Sequence, residues 1–131
     1  MPKKVKKVGL IDGKFYPCPP RHYCVSSQSE VNNTMNYIEP IKYNSSIEEA
    51  KNKIKSIVSS LKRTKLLNEK ENYLHYLFIT ALFRFKDDVE FLFDDTEKVI
   101  HIRSQSRLGG YDYNTNRKRM ENIRSLFHST H

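Results

Sequence analysis

Residues 73–93 read YLHYLFITALFRFKDDVEFLF, and the fold prediction starts from this pattern. It holds seven of the fifteen aromatic residues (eight Tyr and seven Phe) of the 131-residue chain. Residues 73–83 are rich in aromatic and β-branched side chains and are apolar at both alternating positions, which predicts a central strand covered on both faces. Residues 85–88 are predicted to form a turn. Residues 89–94 then alternate apolar and mostly polar side chains, a pattern typical of a second strand.

C-terminal to this stretch, the pattern predicts one more strand and a helix. Residues 94–98 are expected to turn and residues 99–106 to form the last strand. Gly109 and Gly110 are expected to end the sheet, because glycine accepts the backbone angles of a sharp exit. A final helix, capped by Asn114 or Thr115, is expected to have an apolar stripe of Met120, Ile123 and Phe127. The residues expected mostly to face outward are Arg117, Lys118, Arg119 and Arg124.

N-terminal to the stretch, residues 65–67 are expected to form a strand and residues 68–72 a turn. Before them, apolar residues recur at helical spacing at Ile47, Ala50, Ile54, Ile57, Val58 and Leu61. A capping box is available at the start of this helix, either Ser45 with Glu48 or Ser46 with Glu49.

The rest of the chain completes the predicted architecture. Residues 35–43 are expected to form a short strand that Pro40 interrupts. Residues 1–33, which contain prolines and two cysteines, are expected to form an irregular N-terminal arm. We therefore predict an α+β fold in β-α-β-β-β-β-α order, with a single curved antiparallel sheet of about five strands packed by two helices. The arm packs on the α+β domain of residues 34–131, so the chain forms one domain overall.

The chain carries a formal net charge of +8. Such a charge favours anionic partners. The expected partner is an anionic small molecule, a lipid headgroup or a protein. Nucleic acid is not favoured, because the surplus of basic residues is spread along the chain rather than concentrated in one patch.

No apolar run approaches the about 20 residues needed to cross a bilayer. Residues 8–11 are too short for the core of a signal peptide, which takes about 7–15 residues. We therefore expect a cytoplasmic protein in which Cys18 and Cys24 are reduced thiols and a candidate redox pair. Under oxidising conditions, a short-loop disulfide between them is expected instead.

Three stretches of the chain resemble one protein family. They are Cys18-Pro19-Pro20 with Cys24-Val25-Ser26-Ser27-Gln28, then Leu82–Phe91, then Val99–Arg107 continued by Asn116–Arg119. Over residues 18–127 the chain resembles the domain of unknown function 1499 (DUF1499) family. The resemblance implies kinship and a shared fold, and it implies no established substrate or cofactor. It also implies that the cysteine pair is a bridge in exported or membrane-anchored relatives and a thiol pair here.

A set of polar residues near the end of the last predicted strand forms the candidate site. Arg103 and Arg107 close this strand and Arg117 opens the last helix, so their guanidinium groups are suited to bind a carboxylate or a phosphate. The full candidate set is Arg84, Asp87, Asp88, Arg103, Ser104, Arg107, Asn116 and Arg117, with Ser26, Ser27 and Gln28 from the arm.

The alternative interpretation of the same residues is an internal ion-pair network. In it, Asp87 and Asp88 neutralise Arg84 or Arg103, because buried charges are normally paired. Adjacent carboxylates on a strand diverge, so turn formation explains Asp87 and Asp88 better than acid–base catalysis does.

The leading hypothesis is a non-catalytic binding or accessory domain with an Arg-rich groove formed by Arg103, Arg107 and Arg117. No cofactor or metal is expected, because Cys18, His22 and Cys24 match no usual zinc spacing. A rival hypothesis is a small hydrolase that uses Cys24, or the hydroxyl of Ser26 or Ser27, together with a histidine such as His101. A third is a basic nucleic-acid-binding domain.

Overall fold

The computed structural model describes residues 8–109 and 114–129. These residues form two helices, a six-stranded sheet and a two-stranded ribbon. The elements are β1 (Leu10–Ile11), β2 (Lys14–Phe15), β3 (Cys24–Ser26), β4 (Ile41–Lys42), α1 (Ile47–Ser59), β5 (Thr64–Lys70), β6 (Tyr73–Ile79), β7 (Lys86–Asp94), β8 (Val99–Ser106) and α2 (Thr115–Ser129). The order in the large sheet is β3-β8-β7-β6-β5, and β4 also pairs with β8.

The predicted α+β class with two helices and an antiparallel sheet is confirmed. All pairings between the named strands are antiparallel, and an isolated parallel bridge joins Ser26 to Tyr37. The described sheet has six strands rather than about five, because the arm contributes β3, which pairs with β8. The arm therefore extends the sheet through backbone hydrogen bonds, and it also forms the β1–β2 ribbon.

The sequence signals at the start of α1 act as predicted. Ser46 is the N-cap, and its hydroxyl accepts a hydrogen bond from the Glu49 backbone N–H while the Glu49 carboxylate accepts one from the Ser46 N–H. The reciprocal pair satisfies two backbone donors that the helix cannot satisfy internally. Of the two possible capping boxes, the structure uses Ser46 with Glu49.

Several predicted boundaries were wrong, and the most important difference concerns Asp87 and Asp88. Both residues lie within β7 rather than in a turn. Arginine partners neutralise both carboxylates, so the two residues can occupy a buried strand. The turn instead spans residues 80–85, so the strand predicted over residues 73–83 ends at Ile79.

The other boundary differences lie at the edges of the sheet. The strand predicted over residues 35–43 is reduced to the two residues of β4, directly after Pro40. β5 is longer than predicted and continues to Lys70 through a bulge near Leu66. Gly109 follows the end of β8, whereas Gly110 lies outside the described residues.

The sheet is covered on both faces. One face packs against α1 and α2 and builds the main core, to which Phe91, Ile102 and Ile123 belong. The opposite face carries a smaller cluster of Phe15, Tyr73 and Leu92, so the arm covers it. Successive residues of each strand therefore point into two different environments.

Candidate functional site

The predicted site residues are divided between the two faces of the sheet. Arg103 and Ser104 are consecutive in β8, so their side chains point to opposite faces. Ser104 bonds to Asn116 of α2, whereas Arg103 bonds to Pro17 of the arm. The structure therefore builds two separate polar clusters from the single predicted set.

The cluster on the helix face joins α2 to the sheet. The Ser104 hydroxyl donates to Asn116 Oδ1 at 2.5 Å, and Arg119 Nη1 donates to the same oxygen at 2.9 Å. Arg119 Nη2 forms an ion pair with Asp87 Oδ2 at 2.6 Å, and the Asp87 side chain is buried. Arg119 was predicted to face outward and instead turns inward, because it neutralises this buried carboxylate. The cluster connects α2 to the sheet, and its Asp87, Ser104 and Asn116 side chains are buried.

The cluster on the arm face surrounds a fully buried ion pair. Arg103 Nη1 lies 3.2 Å from Glu90 Oε1, and both side chains are 0% exposed. The Tyr73 hydroxyl donates to Glu90 Oε2 at 2.5 Å, and the Gly9 backbone N–H donates to the same oxygen at 2.9 Å. Burial lowers the pKa of Arg103, although Glu90 acts against this shift. The arm closes over these charges through Gly9 and Pro17.

Asp88 contacts two basic neighbours on the same face. His75 Nε2 lies 2.7 Å from Asp88 Oδ1, and Arg107 Nε donates to Asp88 Oδ2 at 2.9 Å. Burial acts to raise the pKa of Asp88, but the hydrogen bonds from His75 and Arg107 outweigh it and lower the pKa to about 2. The internal-network interpretation thus describes Asp87 and Asp88, with Arg119 and Arg107 as partners in place of Arg84 or Arg103.

The three arginines of the predicted groove do not come together. Arg103 is buried beneath the arm, and Arg107 is partly exposed beside Asp88. Arg117 lies on α2, on the other side of the sheet, where it donates to the backbone carbonyls of Thr34 and Met35. Glu90 and Arg119 were not predicted as partners in buried ion pairs. The β7–β8 register places Glu90 directly opposite Arg103.

The serine residues of the arm have structural partners. Ser26 Oγ accepts the Gln28 backbone N–H, and the Gln28 side chain accepts the Phe15 N–H. Ser27 Oγ lies 2.9 Å from His101 Nδ1 and also accepts the Ile102 backbone N–H at 2.9 Å. Burial lowers the pKa of His101, although nearby Asp94 acts against this shift. Ser27 and His101 are therefore the one predicted nucleophile–base pair that the described structure brings into contact.

Cys18 and Cys24 form a disulfide with a Cα–Cα distance of 5.7 Å. The expectation of reduced thiols was wrong, because β3 and the preceding loop bring the two residues within bridging distance. The bridge removes Cys24 as a nucleophile and both cysteines as zinc ligands. Within residues 8–109 and 114–129, no cluster of three or more metal-binding side chains is found.

A surface that the sequence analysis missed lies at one end of the sheet. Three chain segments meet there: residues 60–65, which lead into the start of β5, residues 80–86, which run from the β6–β7 turn to the first residue of β7, and residues 107–109 after β8. The three segments contain six basic residues and no acidic residue. We call these six residues the cationic rim: Lys62, Arg63, Lys65, Arg84, Lys86 and Arg107.

Large apolar side chains are exposed in the middle of the cationic rim. Leu82 is 81% exposed, Phe83 68%, Phe85 43% and Leu108 68%. We call these four residues the apolar tip. Residues 80–86, TALFRFK, combine apolar and basic side chains without an acid, and this pattern indicates such a surface. The predictions instead assigned these residues to a core strand and a turn.

A cleft of about 980 Å³ lies between α1, the end of α2 and the loop after β4. Its lining includes Tyr43, Glu49, Lys53 and Phe127, and the Lys53 Nζ atom lies 4.4 Å from the centroid of the Phe127 ring. None of the predicted site residues lines it. Its lining mixes both signs of charge and gives no specific chemistry.

The comparisons with known proteins identify a family. The searches of curated proteins and of solved structures found no match. In the described parts of the chain, no helix is long and apolar enough to span a bilayer. A family model described as "Protein of unknown function (DUF1499)" matches residues 14–127, nearly the whole chain. The chain therefore belongs to the DUF1499 family.

Proposed function

We propose that the protein is a non-catalytic binding domain that docks on an anionic partner through the cationic rim. The observation that carries the proposal is the gathering of six basic residues, without an acid, from three separate segments at one end of the sheet. Arg84 and Arg107 of the predicted site belong to this rim. In this proposal Arg103 and Arg117 lie outside the binding surface, because Arg103 pairs with the buried Glu90 and Arg117 donates to the backbone carbonyls of Thr34 and Met35.

The distribution of acids supports a positive potential at the rim. Asp87 and Asp88 are the nearest acids in the adjoining strands, and they pair with Arg119 and Arg107. Because Asp88 offsets the charge of Arg107, the positive surplus of the rim comes from its other five basic residues. The opposite end of the sheet holds five acids within residues 69–71 and 94–97, of which Glu69 pairs with Lys51 and Lys55, and Asp95 pairs with Lys98. A positive end of this kind orients a protein on an anionic surface and speeds its encounter with that surface.

A soluble polyanion tests the proposal. We expect polyphosphate to bind the protein at low salt and to dissociate as the salt concentration rises. The double variant Arg84→Gly/Lys86→Gln should weaken this binding at least about tenfold, since each basic residue near an anionic surface contributes about 1 kcal/mol. Arg84 has a φ of 58°, a backbone conformation that glycine adopts readily, so this substitution should not disturb the turn.

A matched control removes the same charge elsewhere. Lys14→Gln/Lys42→Gln changes two exposed residues of β2 and β4, outside the cationic rim. It should leave polyphosphate binding within about twofold of the unsubstituted protein, because screened charges act over only about 10 Å. Equal losses in the two double variants would show that net charge alone drives binding and would overturn the proposal.

A second candidate function is hydrolysis by Ser27 and His101. The 2.9 Å distance between Ser27 Oγ and His101 Nδ1 favours it, because a nucleophile and its base must lie within hydrogen-bond reach. Against it, Ser27 is buried and its Oγ already accepts the Ile102 N–H. A fluorophosphonate probe tests whether Ser27 is a nucleophile. Labelling that Ser27→Ala abolishes would establish this role, and the absence of labelling in the unsubstituted protein would exclude hydrolysis by Ser27.

The disulfide bears on the compartment in which the protein works. The sequence favoured the cytoplasm, where thiols are kept reduced, whereas a bridge between Cys18 and Cys24 persists in an oxidising compartment. Because the structure contains this disulfide, the proposal includes an oxidising compartment. Thiol trapping in intact cells checks this: blocked cysteines support it, and free thiols that react with the trap contradict it.

A further inference from the structure

The four residues of the apolar tip lie close together at one end of the sheet. The last paired residues of the β6–β7 hairpin are Ile79 and Lys86, and the turn between them carries three of the four residues. The Arg107 backbone N–H donates to the Lys86 carbonyl at 2.9 Å, which places Leu108 beside the base of this turn. Exposed apolar side chains of this size, grouped together, mark an interaction surface.

The tip has a defined conformation. The Thr80 N–H donates to the Phe85 carbonyl at 2.8 Å, and the Phe85 N–H donates to the Thr80 hydroxyl at 2.8 Å. The rings of Phe83 and Phe85 stack with their centroids 5.4 Å apart. The turn therefore presents its apolar side chains outward, and residues 81–86 are all exposed.

The chemistry of the tip fits the surface of an anionic bilayer. Aromatic and aliphatic side chains are suited to the boundary between headgroups and acyl chains, and adjacent basic residues are suited to anionic headgroups. Arg84 stands between Phe83 and Phe85 in the chain, and Lys86 follows directly. A tip at the end of a hairpin matches a flat, deformable partner better than it matches a groove.

Single-stranded nucleic acid is the main competing partner, because it also binds basic and aromatic residues. Two observations favour the bilayer. Leu82 and Leu108 are aliphatic and offer no stacking face, and the Phe83 and Phe85 rings already stack on each other.

We infer that the anionic partner is a lipid bilayer surface, into which the apolar tip inserts while the cationic rim contacts the headgroups. This inference rests on the proposed function, since it identifies the partner of the same rim. It adds a requirement for apolar side chains that binding to a soluble polyanion does not share.

The experiment compares sedimentation with two kinds of vesicle, one of phosphatidylcholine alone and one that also contains phosphatidylglycerol. The unsubstituted protein should sediment with the anionic vesicles and not with the neutral ones. Leu82→Ser/Phe83→Ser should weaken sedimentation at least about tenfold, because it removes most of the inserted apolar area. The same variant should bind polyphosphate as the unsubstituted protein does, since all six rim charges remain.

A control and a competing ligand complete the design. Val31, which is 73% exposed and lies outside the three rim segments, supplies the matched variant Val31→Ser, which should sediment unchanged. If Leu82→Ser/Phe83→Ser sediments like the unsubstituted protein, the bilayer inference is wrong and the proposed function stands. If neither polyphosphate nor vesicles bind, both are wrong. Binding to a single-stranded oligonucleotide that depends on Phe83, without binding to vesicles, would also overturn the inference.

Discussion

The face of the sheet on which a polar residue lies determines which partners it contacts. Arg103 and Ser104 are neighbours in sequence, yet Arg103 pairs with Glu90 under the arm and Ser104 with Asn116 under α2. The sequence identified these residues as polar and clustered, but strand alternation divides the cluster. Assigning Asp87 and Asp88 required the correct start of β7, and a predicted start three residues late placed both residues in a turn.

The ion pairs of Asp88 predict a pH-dependent stability. Because its pKa is about 2 in the fold, below the ordinary 3.8, Asp88 contributes stability above about pH 4 that is lost as the pH falls towards 2. Asp88→Asn should lower the free energy of unfolding by about 2 kcal/mol at neutral pH, through the lost hydrogen bonds to charged groups. Urea denaturation at several pH values measures this difference, which should shrink between about pH 4 and pH 2.

An exposed acid provides the control for Asp88. Asp12→Asn, in the turn between β1 and β2, should change the free energy of unfolding by less than about 0.5 kcal/mol at every pH. An effect of Asp88→Asn that stays constant down to pH 2 would contradict the assignment of the low pKa to this carboxylate.

At the scale of elements, the sequence predicted regular structure where the pattern is local. Helix α1 has the predicted apolar stripe and capping box, and β8 spans the predicted residues 99–106. The edge strands were harder to predict, because β3 and β4 are short and depend on pairing with β8, far away in sequence. The β-propensity of a short segment does not predict such long-range pairing.

The N-cap of α1 gives a direct test at this scale. Ser46→Ala should lower the free energy of unfolding by about 1 kcal/mol, since it leaves the Glu49 N–H without its acceptor. Ser45→Ala is the matched control, because the Ser45 hydroxyl donates only to a neighbouring carbonyl among the bonds identified and caps no helix. Thermal denaturation compares the two, and equal effects would mean that Ser46 does not act as the cap.

The attachment of α2 to the sheet depends on Arg119. Arg119→Ala should cost about 3 kcal/mol of unfolding free energy, because it leaves the buried Asp87 carboxylate without its ion pair. Lys118→Ala removes an exposed positive charge from the same helix and should cost less than about 0.5 kcal/mol. Chemical denaturation measures both values; a similar cost for the two would show that the Asp87–Arg119 contact is not stabilising.

At the scale of the whole molecule, the strand that the predicted arm adds to the sheet and the rim are the features that sequence patterns did not reveal. The arm covers a face of the sheet that carries Glu90 and Arg103. The disulfide joins Cys18 to Cys24 of β3, and the carbonyl of the preceding residue, Pro17, accepts a hydrogen bond from Arg103. The rim draws its charges from segments more than 40 residues apart, from Lys62 to Arg107. Only the strand register brings them together.

The disulfide should stabilise the arm against the sheet. It closes a loop with a sequence separation of six residues, for which chain entropy gives about 2 kcal/mol. A reductant should therefore lower the free energy of unfolding by about this amount. The variant Cys18→Ser/Cys24→Ala should be less stable to a similar extent and insensitive to the reductant. A reductant that has no effect on the unsubstituted protein would contradict this role of the bridge.

Insertion of the apolar tip into an anionic bilayer is tested most directly by fluorescence. The chain contains no tryptophan, so Phe83→Trp and Val31→Trp each give a single reporter. With vesicles that contain phosphatidylglycerol and brominated lipids, Phe83→Trp emission should shift to shorter wavelength and be quenched by the bromine atoms, while Val31→Trp emission should not change. Equal responses from the two variants, or no response from Phe83→Trp although the protein sediments with the vesicles, would contradict insertion of the tip.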